Sequence, residues 1–156
     1  MLADTNKVLL IGYGNPGRLD DGLGPALVAK LESNPVAGLD VDSDYQLTVE
    51  TAYDVAQYDT VIFADASVNG REPFFLKKIY PQEPMSFSTH SVAPEAVLHL
   101  AQSLFKAKTE AYLLGIRGYH FNEFQEELSE QAENNLKAAF EYVVEALRTQ
   151  RFNVTS

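Results

Sequence analysis

The stretch Gly12-Tyr13-Gly14-Asn15-Pro16-Gly17-Arg18-Leu19-Asp20-Asp21-Gly22-Leu23-Gly24 decides how the first part of this chain folds. It follows an apolar run at residues 8–11 and precedes an amphipathic stretch at residues 25–32. An apolar run, a glycine-rich segment and an amphipathic stretch predict a strand, a tight turn and a helix. Two adjacent carboxylates, Asp20 and Asp21, therefore stand at the entrance of the predicted helix.

Segments typical of strands and of helices alternate through the rest of the chain. We predict strands at residues 7–11, 45–49, 60–65, 74–80 and 111–116, and helices at residues 21–32, 51–57, 93–105 and 129–148. Residues 34–44 are predicted to form a loop. The run at residues 60–65 is almost continuously apolar, which is typical of a strand buried on both faces of a parallel sheet. The alternation predicts one α/β domain over residues 1–156, with three α/β/α layers around a mostly parallel, roughly five-stranded twisted sheet.

The composition narrows the classes of function. The 156 residues suit a single domain, and the chain contains no cysteine. This excludes thiolate chemistry within the chain and favours a reducing, cytoplasmic location. We find neither a secretory signal nor an apolar run of the roughly 20 residues that span a bilayer, so we expect no membrane association. The net charge of −10 disfavours a nucleic-acid partner, because phosphate backbones would repel it.

The first half of the glycine stretch has the spacing of the dinucleotide fingerprint G-x-G-x-x-G. In that fingerprint the third glycine opens the helix, and free backbone N–H groups bind the phosphates. Here Gly17 is followed by Asp20 and Asp21, whose charges would repel phosphate, and Pro16 lacks an N–H group. Nucleotide binding is therefore the less favoured alternative.

The second half of the stretch suggests a different chemistry. One aspartate could cap the helix, but the second is free to face a cleft. Asp65 follows the apolar strand at residues 60–65, where α/β sheets bind ligands, and His90 lies in a polar loop before the third predicted helix. Each residue alone has a plain structural explanation: a helix cap, a turn aspartate or a surface histidine. Together they make an oxygen, oxygen, nitrogen donor set that suits zinc, nickel or iron(II) and leaves a coordination position open.

These motifs resemble the [NiFe]-hydrogenase maturation endopeptidases, especially members that serve cytoplasmic hydrogenases. The family carries a glycine–asparagine turn, two acidic residues with glycine, an aspartate after an apolar strand, and a histidine in a mid-chain loop. The matching segments are Gly12-Tyr13-Gly14-Asn15, Asp20-Asp21-Gly22-Leu23-Gly24, Val61-Ile62-Phe63-Ala64-Asp65 and His90-Ser91. The resemblance extends over residues 7–147.

The resemblance implies an endopeptidase that removes a C-terminal extension from a hydrogenase large-subunit precursor after nickel insertion. It assigns Asp21, Asp65 and His90 as the catalytic and metal-binding residues. The nickel would come with the precursor, and zinc or cadmium could replace it in the isolated protein. Many members have glutamate where this chain has Asp21, and this shorter side chain requires the metal about one methylene nearer.

Two questions stay open at the level of sequence. A nickel-checking chaperone that holds the precursor without cutting it would use the same three ligands. No motif identifies a general base, although Asp20 is a candidate if it does not cap the helix. His120 and Arg117 follow the last predicted strand and could line the same edge of the sheet.

Overall fold

Five strands form a single sheet in the computed structural model, which describes residues 7–84, 92–121 and 127–155. The strands are β1 Val8–Tyr13, β2 Leu39–Asp44, β3 Thr60–Ser67, β4 Phe74–Ile79 and β5 Glu110–Arg117. The helices are α1 Leu23–Ser33, α2 Thr51–Val55, α3 Pro94–Phe105 and α4 Glu130–Thr149, with a short 3-10 helix at Leu19–Gly22. No helix in these described ranges is long and apolar enough to cross a membrane.

The strand order is β2-β1-β3-β5-β4. The first four of these strands run parallel to one another, and β4 is antiparallel to β5 at one edge. The carboxyl ends of β1, β2, β3 and β5 consequently lie at the same edge of the sheet, where ligands bind in this class of fold.

Helices cover both faces of the sheet, which confirms the predicted three layers. The alternation along β1 separates the two cores: Val8 and Leu10 pack with α1 and α4, while Leu9 and Ile11 pack with α2 and α3. β3 is buried from Thr60 to Ala64, as its apolar run predicts. The sheet thus buries both of its faces along its centre.

Helix α1 lies unusually close to the ends of the central strands because its second residue is Gly24. A Cβ atom at Gly24 would come within 2.6 Å of the carbonyl oxygens of both Tyr13 and Ala64. Any larger residue would push the helix away from the sheet. This contact fixes the entrance of α1 beside the carboxyl ends of β1 and β3.

The predicted second strand was wrong in position. The strand is Leu39–Asp44, inside the predicted loop, and residues 45–49 are not a strand. Leu39 and Val41 pack against the α1 side, while alternate positions carry exposed aspartates. An edge strand with one face open to water needs few apolar residues, so its hydrophobic pattern is weak. All other predicted elements are present, with boundaries shifted by at most two residues.

Candidate functional site

Two of the three predicted site residues, Asp21 and Asp65, lie at the carboxyl edge of the sheet. Asp21 belongs to the 3-10 helix that follows β1, and Asp65 lies near the end of β3. Both side chains are partly exposed to solvent. The third predicted residue, His90, lies outside the described residues, so its assignment stays a prediction.

The turn after β1 holds the Asp21 carboxylate in a fixed position. The backbone N–H of Asn15 donates to Asp21 Oδ2 at 2.9 Å. The chain doubles back closely here: Gly14 has a φ of 138°, and a Cβ atom on it would lie 2.2 Å from the Asp21 carbonyl oxygen. Only glycine fits this position without displacing Asp21. The glycine turn therefore shapes a carboxylate site.

Asp65 is held in a similar way at the end of β3. Its Oδ1 accepts a hydrogen bond from the Ala66 backbone N–H at 2.8 Å, and the Tyr13 side chain lies near this carboxylate. The pKa of Asp65 is raised to about 6: burial is the largest cause, the Ala66 hydrogen bond opposes it, and repulsion from the nearby Asp21 carboxylate adds to it.

A pair of carboxylates that repel each other at the edge of a core is suited to a cation. A divalent ion between Asp21 and Asp65 would remove the repulsion that raises the Asp65 pKa. The described ranges contain no group of three or more His, Cys, Asp or Glu residues arranged for a metal ion. The described part of the site contains two carboxylates, and a borderline metal bound there would need a further donor.

Asp20 has a structural role that differs from the predicted helix cap. Its side chain is completely buried, and α1 has no side-chain cap. The carboxylate accepts hydrogen bonds of 2.7–3.0 Å from the backbone N–H groups of Tyr119, His120 and Ser129 and from the Ser129 hydroxyl. Burial raises the Asp20 pKa, but these four hydrogen bonds outweigh it and hold the pKa below its usual value. Asp20 therefore connects the turn to the start of α4, and its hydrogen bonds leave it little capacity to accept a further proton as a general base.

The backbone N–H groups of the glycine turn are engaged within the protein. The Gly14 N–H donates to the Asp44 carbonyl oxygen, and the Asn15 N–H donates to the Asp21 carboxylate. The N–H groups of Gly17 and Arg18 both donate to Asn15, the first to its side-chain oxygen and the second to its carbonyl oxygen. A phosphate cradle requires such groups to point outward and free. The geometry of the turn thus disfavours nucleotide binding.

Sequence reasoning missed Tyr13 as a member of this site. Tyr13 is the last residue of β1, and its side chain lies near the Asp65 carboxylate. Burial raises the pKa of Tyr13, and Asp65 and Glu95 raise it further through their negative charges. The sequence did contain a signal for the position of Tyr13. Side chains alternate along a strand, so Tyr13 lies on the same face of β1 as Ile11, at the carboxyl end of the strand.

The other predicted candidates have partners of their own. Arg117 donates to the Gly70 carbonyl oxygen at 2.7 Å and stacks over the Tyr119 ring. The backbone of His120 exchanges hydrogen bonds with Asp20, while His120 itself is exposed. A cleft of about 250 Å³ borders the glycine turn; it is lined by Gly14, Pro16, Pro25, Ser43, Asp44 and Tyr45.

No protein-family model matches this sequence, and no curated protein matches it. Several solved structures do match over almost the whole chain. A [NiFe] hydrogenase maturation protease HycI from Thermococcus kodakarensis KOD1 has a TM-score of 0.72 and 20% identity, covering 92% of this chain and 93% of its own. The hydrogenase maturating endopeptidase HybD from E. coli has a TM-score of 0.67 and 23% identity, with the same coverage. These two likenesses confirm the fold.

A third structure is similar in sequence as well as in fold. The hydrogenase 2 maturation peptidase from Thaumarchaeota archaeon SCGC_AB-539-E09 is 30% identical to this chain, with a TM-score of 0.63. The match covers 91% of this chain and 98% of the peptidase. The family resemblance predicted from the motifs is thereby confirmed.

Proposed function

This chain belongs to the family of hydrogenase maturation proteases, and on that premise we propose that it cleaves a [NiFe]-hydrogenase large-subunit precursor. The cut removes the C-terminal extension of the precursor after nickel insertion. The observation that carries this proposal is the pair Asp21 and Asp65, fixed by backbone N–H groups and repelling each other at the carboxyl edge of the sheet.

The nickel is part of the substrate in this proposal. Asp21 and Asp65 bind the nickel that the precursor already carries, and His90 provides the nitrogen ligand. A precursor without nickel lacks the cation that the carboxylate pair requires, so it is held weakly and stays uncut. The site thereby makes nickel insertion a condition for cleavage.

The bound nickel supplies Lewis-acid chemistry, either polarising the scissile carbonyl or lowering the pKa of a water molecule. The protein's own residues position the substrate. The N–H groups of Asn15 and Ala66 keep the two carboxylates in place before the precursor arrives. Such prior positioning lowers the entropic barrier for attack on one particular peptide bond. Water then adds to the carbonyl carbon, the C–N bond breaks, and the leaving nitrogen takes up a proton.

The test is to incubate nickel-loaded precursor with the protein and to follow the mass of the large subunit. We expect a shortened subunit with the unmodified protein and no shortening with His90→Ala. The matched control is His120→Ala, which removes an exposed histidine near the same edge of the sheet and should retain processing. Processing by His90→Ala at the normal rate would disprove the role of His90.

A nickel-checking chaperone is the competing proposal, and the same experiment separates the two. A chaperone would form a stable complex with the nickel-loaded precursor and leave its mass unchanged. The nucleotide alternative would instead give a higher melting temperature with NADH or ATP, independent of Asp21→Asn. Either result would overturn the protease proposal.

We place this reaction in the cytoplasm. The chain has no cysteine, which suits a reducing compartment. Removal of the extension there would follow directly on nickel insertion into the precursor.

A further inference from the structure

Exposed apolar side chains are concentrated on one part of the surface. Eight large hydrophobic residues of the described ranges are exposed, and five of them lie on α2, just before it, or at the end of α3. The rings of Tyr53 and Phe105 meet edge to face with their centroids 5.5 Å apart, so the two helices contribute to one surface. Single exposed apolar residues are normal, whereas a group of them marks an interaction site. We call this group the apolar face; it consists of Tyr45, Val49, Tyr53, Leu104 and Phe105.

The apolar face begins beside the proposed catalytic site. Tyr45 lines the cleft that borders the glycine turn, and this turn holds the Asp21 carboxylate. Phe105 is the last residue of α3, which has 12 residues and is therefore about 18 Å long. The face thus extends from the carboxyl edge of the sheet along the outer side of α2 and α3.

The same part of the chain carries most of the negative charge. Residues 31–70 contain eight of the 22 acidic residues and no lysine, arginine or histidine. The ion pairs within the described ranges are Lys78–Glu110 and Glu145–Arg148, so none of them involves this segment. Glu50 and Asp54 are exposed and follow directly after Val49 and Tyr53 of the apolar face. An apolar surface surrounded by unpaired carboxylates is complementary to a basic partner.

We propose that the apolar face docks a basic surface on the folded part of the hydrogenase large-subunit precursor, the part that remains after cleavage. This inference rests on the proposed function, which makes the precursor the substrate. The apolar side chains supply contact area, as the centre of an interface does. The carboxylates around them pair with lysine or arginine side chains of the precursor and speed its encounter with the enzyme.

The extent and the charge of the face favour this occupant over two others. The extension next to the scissile bond needs only the surface near the cleft, whereas the face continues along α2 and α3 as far as Phe105. A second copy of this chain would place the same carboxylates against each other, because a two-fold interface pairs a patch with itself. Like charges across an interface are unfavourable.

The test measures binding of the mature large subunit, which lacks the extension, by surface plasmon resonance. One variant is Tyr45→Ser, and the other is the charge-reversed double variant Glu50→Lys/Asp54→Lys. We expect each to bind the mature subunit roughly tenfold more weakly than the unmodified protein does. With nickel-loaded precursor, KM should rise by a similar factor at unchanged kcat, because the Asp21 and Asp65 carboxylates are intact.

Each variant has a matched control at a distance from the apolar face. Tyr80→Ser removes a tyrosine that is 66% exposed, against 68% for Tyr45, and that follows β4 at the other edge of the sheet. Glu133→Lys/Glu141→Lys changes the net charge by the same amount as the double variant, but on α4, which covers the opposite face of the sheet. Both controls should bind and process as the unmodified protein does. All variants should keep its melting temperature.

The outcomes separate this inference from the proposed function. Normal binding of the mature subunit by both face variants would overturn the docking role and leave the protease proposal intact. An equal loss in the α4 control would also overturn it, because net charge alone would then be the cause. Failure of the unmodified protein to process the precursor would overturn the protease proposal, while binding of the mature subunit would still decide the docking role.

The other occupants give results of their own. A loss of binding that is confined to the precursor and absent with the mature subunit would identify the extension as the occupant and overturn the inference. Size-exclusion chromatography tests the second copy. An unmodified protein that elutes as a dimer, and as a monomer after Tyr45→Ser, would overturn the inference as well.

Discussion

Asp20 and Asp21 are neighbours in the chain, but their carboxylates have separate tasks. Asp20 is fully buried and accepts four hydrogen bonds, three of them from backbone N–H groups about 100 residues later in the sequence. Asp21 is partly exposed and is held by one N–H group of its own turn. The motif predicted an acidic pair near a cleft. It could not show which member is buried, because that depends on contacts with Tyr119, His120 and Ser129.

Asp65 should reduce the stability of the metal-free protein at neutral pH. Its pKa of about 6 in the fold exceeds the value near 3.9 of an unfolded chain, so the fold binds this proton more tightly. Stability then falls as pH rises from about 4 to 6 and stays reduced above that. Asp65→Asn should therefore raise the free energy of unfolding by about 1 kcal/mol at pH 7.5 and abolish processing.

Urea unfolding of the metal-free protein at pH 4 and pH 7.5 measures this effect. The stabilisation by Asp65→Asn should be present at pH 7.5 and absent at pH 4. Asp42→Asn, on the exposed face of β2, is the control and should change little at either pH. An equal effect of Asp65→Asn at both pH values would contradict the assignment.

At the scale of elements, the join between the glycine turn and α4 depends on Asp20. The Ser129 hydroxyl donates to Asp20 and accepts from the Ala132 N–H, which caps α4 as the sequence predicted. Asp20→Asn would place an amide N–H₂ against donors, and we expect a loss of about 3 kcal/mol in the free energy of unfolding. Asp21→Asn should lose far less stability but should block processing.

The sign of the pH dependence for Asp20 is opposite to that for Asp65. The Asp20 pKa is lowered in the fold, so its stabilisation is complete above the unfolded value near 3.9 and is lost as pH falls through the folded pKa. The difference between Asp20→Asn and the unmodified protein should shrink in acid, as measured by urea unfolding. A loss that does not depend on pH would indicate a packing effect alone.

Elements with a buried apolar face could be predicted from the sequence, while the polar edge strand could not. The apolar run of β3 and the stripe of α4 led directly to the observed elements. The position of β2 was predicted wrongly because Asp40, Asp42 and Asp44 leave this strand with few apolar residues. Its pairing with β1 is a long-range contact that no local sequence pattern indicates. The proximity of Tyr13 to Asp65 was missed for the same reason, since the two residues belong to different strands.

At the scale of the whole molecule, the residues that follow α4 cover the edge of the sheet formed by β4. Thr155 donates its backbone N–H to the Leu76 carbonyl oxygen of β4, and the Leu76 N–H donates to the Thr155 hydroxyl at 2.8 Å. Phe152 stacks on Tyr112 with ring centroids 5.2 Å apart. The free edge of β4 is thereby partly covered, while the opposite edge strand β2 carries its aspartates. Covered and charged edges oppose strand-to-strand aggregation.

Phe152→Ala should release this covering segment. We expect a loss of about 2 kcal/mol in the free energy of unfolding, less than for a fully buried phenylalanine, and self-association at high protein concentration. Urea unfolding and size-exclusion chromatography measure the two effects. Val154→Ala, an exposed position of the same segment, should leave both unchanged. A Phe152→Ala protein that elutes as the unmodified protein does would show that the segment has no protective role.

The adjacency of Asp20 and Asp21 has a consequence for the life of the newly made chain. The residue that docks the start of α4 directly precedes the residue proposed to bind nickel. A chain whose last helix has not yet docked would leave the buried Asp20 carboxylate without the Ser129 N–H and hydroxyl that it accepts from. The segment that carries Asp21 therefore reaches its final packing only after the other end of the chain has folded, so a chain shortened before α4 should lose the order of this turn as well as the helix.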